Sequence, residues 1–198
     1  VTGTESAASW RAGMWNLPNA LTIGRLVLVP VFVLLLLAES TPTRWWALAV
    51  FVLASVTDQL DGHLARSRNL VTAFGTLADP VADKALILGA LVTLSVLGEV
   101  PWWITILVAV RELGITALRA VLVRRSIMPA SLGGKVKTVL QIVAIVLLVV
   151  PWSALVDPDP MRVVALVALY LALAVTLLTG LDYVVKGWRI SRSTRPAA

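Results

Sequence analysis

Asp58 and Asp61 stand three residues apart, and Asp79 and Asp83 four apart. On helices each pair shares one face. Four carboxylates brought together repel one another unless they are protonated or neutralised. Hard divalent cations suit them best: oxygen-only ligation fits Mg²⁺ or Mn²⁺, and two such ions polarise phosphate oxygens. The chain has no Cys, which excludes thiolate catalysis, zinc fingers and iron–sulfur ligation, and its single His63 argues against imidazole-rich sites and hydrolytic triads. The plain alternative is that these acids cap helices and pair with Arg66, Arg68 and Lys84; it explains one Asp more easily than four at this spacing. Asp79 followed by Pro80 reads as a helix start, with Asp79 as N-cap and Pro80 in the first helical position. Gly62 and Ala65 let a ligand, or a neighbouring helix, approach the backbone closely, and Arg66 offers a fork for phosphate. Gly75 is expected in the connection between the two acidic helices.

The elements that must carry these groups follow from composition. Of 198 residues, 59% are hydrophobic and only 14% charged, with mean hydropathy +0.89, whereas soluble domains carry about 25% charged residues. Six apolar runs are long enough to cross a bilayer, at about Leu21–Ala38, Trp45–Ala65, Pro80–Leu97, Pro101–Val123, Val136–Val156 and Met161–Val185. The expected fold is therefore all-α: a polytopic membrane protein of six transmembrane helices. Residues 1–15 form an N-terminal tail or interfacial segment, 16–188 the membrane domain, and 189–198 a basic tail. A small-residue stretch near Ala38 resembles a leader cleavage site, but the five later runs need no leader. The eight Trp residues fall at or beyond the ends of the runs, as indole rings at a membrane interface do. Arg11, Arg66, Arg68, Arg124, Arg125, Lys135, Lys137, Lys186, Arg189, Arg192 and Arg195 lie on one set of connections, which places both termini in the cytoplasm. The net charge of +6 then faces anionic membrane lipids. Charge dispersed along a polytopic chain argues against nucleic acid.

Written out, Asp58-x2-Asp61-Gly62-x2-Ala65-Arg66-x8-Gly75-x3-Asp79-x3-Asp83 resembles, at every fixed position, the signature of the CDP-alcohol phosphotransferase family. The resemblance implies that family's six-helix fold, a cytoplasm-facing site in the cell (inner) membrane and a homodimer. It also implies transfer of a phosphatidyl or similar group from a CDP-linked donor to an alcohol, with release of CMP. By the same resemblance, Asp58, Asp61, Asp79 and Asp83 hold two ions, Mg²⁺ or Mn²⁺, and Asp83 takes the proton of the attacking hydroxyl. Asp61, Gly62, Ala65, Arg66 and Gly75 line the nucleotide site.

The signature does not name the acceptor. Glu112, Thr116 and Arg119 recur at i, i+4 and i+7 beside Arg111, and Lys135, Lys137 and Thr138 open the fifth run. Arg111, Arg119, Lys135 and Lys137 together suit an acceptor that carries a phosphate; the alternative is pairing of Glu112 with an Arg between helices. The stretches Asn16–Thr22 with Arg25, Asp79–Lys84, Arg111-Glu112 with Arg119, and Gly134–Thr138 resemble the phosphatidylglycerophosphate synthase branch of the family. That branch implies CDP-diacylglycerol and glycerol 3-phosphate as substrates. Phosphatidylinositol-phosphate synthase and cardiolipin synthase are the neighbouring alternatives. A cation carrier also uses intramembrane carboxylates, but leaves Gly62, Ala65, Arg66 and Gly75 unexplained. His63 and Asp182 are read as packing or boundary residues.

Overall fold

The computed structural model describes residues 17–67, 73–122 and 132–193. Six long helices make up almost all of them: α1 (Leu17–Leu37), α2 (Thr41–Ser67), α3 (Ala73–Val96), α4 (Trp102–Leu122), α5 (Leu132–Val149) and α6 (Pro158–Ser193), with a 3₁₀ turn at Trp152–Ala154. The described residues contain no strand. The N-terminal segment, with Trp10, Arg11 and Trp15, lies outside them, as do Arg68, Arg124, Arg125 and Arg195.

Three helix ends show their local cause. Ser40 caps α2, its hydroxyl accepting from the Thr43 amide at 3.3 Å. At the end of α3, Gly98 adopts φ 73°, its amide donates to the Ser95 carbonyl at 3.1 Å, and the Glu99 amide reaches the Leu94 carbonyl at 2.9 Å. That is a Schellman closure, which needs a left-handed residue at the Gly98 position. Asp157 caps α6 by accepting from the Asp159 amide at 3.2 Å, with Pro158 opening the helix.

The Asp-Pro signal is thus realised at Asp157-Pro158 and not at Asp79-Pro80. α3 starts at Ala73, so Asp79 and Pro80 lie two turns inside it, and Gly75 belongs to its first turn and not to a connection. Proline removes a single backbone donor, and the chain before it, Leu77-Ala78, favours helix. α5 also ends at Val149, earlier than the expected run to Val156, because Pro151 follows and the 3₁₀ turn begins.

The chain forms two compact units. The first holds α1, α2 and α3 as far as Thr93, with Val149–Ala154; the second holds Leu94–Leu148 and the segment after Leu155. In the first, α1 packs along α2 through Phe32 and Phe51, both fully buried, with ring centroids 5.5 Å apart. Gly89 of α3 sits so close to α1 that a Cβ there would meet Val29 Cγ1 at 3.3 Å. In the second unit, Ile104, Val108 and Ile115 of α4, Ala144 and Ile145 of α5, and Ala165, Leu169 and Ala172 of α6 are buried. A hydroxyl pair, Ser95 and Thr105 at 2.7 Å, is buried with them.

Large apolar side chains also cover the outer faces: Val27, Leu34, Leu53, Val110, Leu113, Leu171 and Leu178 are all exposed. Ala20–Leu37 and Pro158–Val185 are long and apolar enough to cross a membrane, and only 22% and 33% of these windows is buried within the protein. Trp45, Trp46, Trp102 and Trp103 are exposed at the starts of α2 and α4.

Candidate functional site

The signature residues fall on two helix faces. Along α2, Asp58, Asp61, Gly62 and Ala65 follow the three- and four-residue repeat of one helical stripe, with Arg66 beside it. Along α3, Gly75, Asp79 and Asp83 stand at i, i+4 and i+8, so the interior position of Asp79 and Gly75 puts all three in one row. The side chains of Asp61, Gly62, Ala65, Arg66, Gly75, Asp79 and Asp83 lie outside the described residues, and their backbones are helical.

Asp58 has a described side chain, and its partner is Arg25 of α1, whose Nη1 donates to Asp58 Oδ1. The guanidinium is 0% exposed and the carboxylate 29%. Thr22, three residues earlier on the same helix, is also buried. Sequence reasoning gave Arg25 no role. The signal was available, since an ionisable group inside an apolar run is expensive and implies a partner.

The donor set fits a hard cation. Every candidate ligand is a carboxylate, and a carboxylate has two oxygens, so Asp58 can accept from Arg25 and still offer oxygen to a metal. The arginine also offsets part of the repulsion that four acids would generate.

The second unit contains a different cluster. Glu112 of α4 is 7% exposed and its Oε1 accepts from two cations, Arg111 Nη1 at 3.0 Å and Lys137 Nζ of α5 at 2.6 Å. Arg111 continues into α6, donating from Nε to the Thr176 carbonyl at 2.9 Å and from Nη2 to Thr179 Oγ1 at 2.8 Å. Space for it comes from Gly180, where a Cβ would stand 3.1 Å from Arg111 Cγ. Thr116 Oγ1 donates back to the Glu112 carbonyl at 2.7 Å.

Of the four basic residues singled out for an acceptor phosphate, Arg111 and Lys137 are therefore brought onto one carboxylate. Lys135 is exposed on α5, and Arg119 lies on α4 with its side chain outside the described residues. Glu112 pairs between helices, with a lysine as its interhelical partner and the arginine beside it in sequence. Thr176, Thr179 and Gly180 escaped the sequence reading; a small polar stripe in an otherwise apolar helix was the available sign.

A family model for CDP-alcohol phosphatidyltransferases matches residues 15–178. The chain belongs to that family. Members similar to it over most of its length include a probable phosphatidylglycerophosphate synthase of Mycobacterium tuberculosis, 47% identical over 182 residues, covering 90% of this chain and 85% of the relative. The CDP-diacylglycerol–glycerol-3-phosphate 3-phosphatidyltransferase of Bacillus subtilis is 36% identical over 197 residues, covering 91% of this chain and 100% of the relative. The corresponding Rickettsia typhi enzyme is 38% identical over 179 residues, covering 86% and 96%. The chain is thus a phosphatidyltransferase by family, as its eight-residue signature implies.

Proposed function

We propose that this phosphatidyltransferase moves a phosphatidyl group from CDP-diacylglycerol to sn-glycerol 3-phosphate, giving phosphatidylglycerophosphate and CMP. The observation that carries this reading is the complete signature on two helix faces in a chain whose near full-length relatives are named for this transfer.

Asp58, Asp61, Asp79 and Asp83 are the residues that would hold Mg²⁺ or Mn²⁺, two ions in all. Such ions, when bound, neutralise the pyrophosphate and polarise its oxygens. Gly62 and Ala65 keep the α2 backbone open to the cytidine nucleotide, with Gly75 of α3, and Arg66 and Asp61 complete that site. Asp83 accepts the proton of the glycerol hydroxyl as its oxygen bonds to the phosphorus bearing diacylglycerol. The phosphoanhydride bond to CMP breaks, and CMP leaves with the electron pair. Arg25 holds Asp58 in place throughout.

The acceptor is assigned to the basic cluster. Arg111, Arg119, Lys135 and Lys137 supply charge for a phosphomonoester, which a neutral alcohol would not require. Arg111 and Lys137 against one Glu112 leave a net positive charge, which supports an anionic acceptor.

The six helices each serve as a span, with both termini and the site at the cytoplasmic face of the cell (inner) membrane. The apolar outer faces support this, as does α6: at about 1.5 Å per residue its apolar part reaches about 42 Å, beyond a hydrocarbon core of about 30 Å. Its continuation from Lys186 to Ser193 carries Lys186, Arg189 and Arg192, which suits a cytoplasmic end. The protein acts as a homodimer. Purified protein should release CMP from CDP-diacylglycerol only when a divalent ion and an acceptor are both present. Cation flux into liposomes with no CMP release would favour a carrier and overturn the reading.

A further inference from the structure

Glu112 is a buried acid that the proposed chemistry does not use. Its carboxylate is held by two cations from different helices, at 3.0 Å from Arg111 and 2.6 Å from Lys137. A buried ion triad is a poor stabiliser, because apolar residues of the same volume usually do as well. Its presence in an otherwise apolar helix calls for another purpose.

The connections run in one direction. α6 fixes Arg111 through the Thr176 carbonyl and Thr179 Oγ1, and Thr179 is itself set by donating to the Val175 carbonyl at 2.7 Å. Gly180 leaves the arginine stem room to lie against that helix. With its guanidinium braced at two points on α6, Arg111 is placed to orient Glu112 through Nη1. Glu112 in turn takes the Lys137 ammonium, the end of a four-carbon stem that has no fixed direction of its own. One turn further along the same face of α5 stands Gln141, 4% exposed, whose Nε2 has no partner among the described residues. A buried donor left so costs about 1–3 kcal/mol unless something binds it. Lys137 and Gln141 thus form a short row of buried donors, the first of them fixed by Glu112.

We propose that Glu112 is a positioning residue of the acceptor site, whose carboxylate sets the Lys137 ammonium for the acceptor's phosphate. This rests on the assignment of the basic cluster to that phosphate.

The test is steady-state kinetics of the purified full-length protein, varying glycerol 3-phosphate and CDP-diacylglycerol separately, with Glu112→Gln, Glu112→Ala, Lys137→Met and the Glu112→Ala/Lys137→Met double variant. Lys137→Met should raise the KM for glycerol 3-phosphate at least about tenfold, with that for CDP-diacylglycerol within about twofold. Glu112→Ala should do the same, and the double variant should be no worse than either single one, since both remove one device. Glu112→Gln, which keeps an oxygen for the ammonium, should be intermediate and melt close to the parent. If the two single effects multiply, or Glu112→Ala lowers kcat with both KM values unchanged, Glu112 does not act through Lys137. If Lys137→Met leaves the glycerol 3-phosphate KM unchanged, the assignment of the cluster to the acceptor falls, and the role of Glu112 there falls with it.

Discussion

Arg25 of α1 and Asp58 of α2 form an ion pair in which the cation is fully buried and the carboxylate retains 29% exposure. The pair ties the first helix to the signature helix and fixes one of the four acids proposed to hold the metal ions. Its asymmetry has a consequence. Removing the carboxylate leaves a buried guanidinium without this counter-charge, a change that costs about 3–5 kcal/mol where a buried pair is broken. Removing the arginine leaves a carboxylate that solvent can still reach. Asp58→Ala should therefore lower the melting temperature more than Arg25→Met, measured by thermal unfolding in detergent. The reverse order would contradict the burial of Arg25.

Asp83 is assigned the proton of the attacking hydroxyl, and general-base assistance is worth about 10²–10⁴-fold. Asp83→Asn keeps the volume and removes the base. CMP release should fall by at least about 10²-fold while the protein still accumulates in membranes and melts near the parent temperature. Turnover within tenfold of the parent would remove Asp83 from that role.

Two features of the site were open to sequence reasoning and two were not. The spacing of Asp58 with Asp61 and of Asp79 with Asp83 needs only the helical repeat, so the acidic faces could be read directly. The apolar runs located all six helices, because their length far exceeds the uncertainty at their ends, but the start of α3 and the ends of α5 and α6 differ from the runs by seven or eight residues. Asp79-Pro80 misled, since the same dipeptide opens α6 at Asp157-Pro158 but lies within α3. Local cap chemistry is a preference of about 1 kcal/mol, and a proline removes a single backbone donor, so neither alone decides where a helix starts. The partners of Arg25 and Arg111 lie 33 and more than 60 residues away in sequence, at Asp58, Thr176 and Thr179; a charge in an apolar run announces that a partner exists, but no local pattern says which residue it is.

Chelation offers an independent test of the carboxylate set. With EDTA, CMP release should cease, and excess Mg²⁺ or Mn²⁺ should restore it. Asp58→Asn should raise the metal concentration needed for half-maximal rate and weaken CDP-diacylglycerol binding together, because the pyrophosphate would be held through the ions that these carboxylates are proposed to bind. Full activity in EDTA would overturn the oxygen-ligated metal chemistry.

Gly180 and Gly114 make a matched pair. A Cβ at Gly180 would meet Arg111 at 3.1 Å, whereas nothing stands within 4 Å of one at Gly114. Replacing either glycine by alanine within a helix gains about 1 kcal/mol of helix propensity. Gly114→Ala should show that gain as a higher melting temperature. Gly180→Ala should lose most of it, because the arginine stem has to move, and should raise the KM for glycerol 3-phosphate several-fold. Equal melting shifts for the two would mean that Arg111 does not lie against α6.

Glycerol 3-phosphate is expected to be the acceptor that this protein uses with CDP-diacylglycerol. Purified protein reconstituted with CDP-diacylglycerol and Mg²⁺ should be offered labelled glycerol 3-phosphate, inositol phosphate and phosphatidylglycerol in parallel, with lipid product and CMP both quantified. Conversion of glycerol 3-phosphate to phosphatidylglycerophosphate, with one CMP released per lipid formed and little turnover of the other two, is the expected result. Preferential conversion of inositol phosphate or phosphatidylglycerol would contradict it.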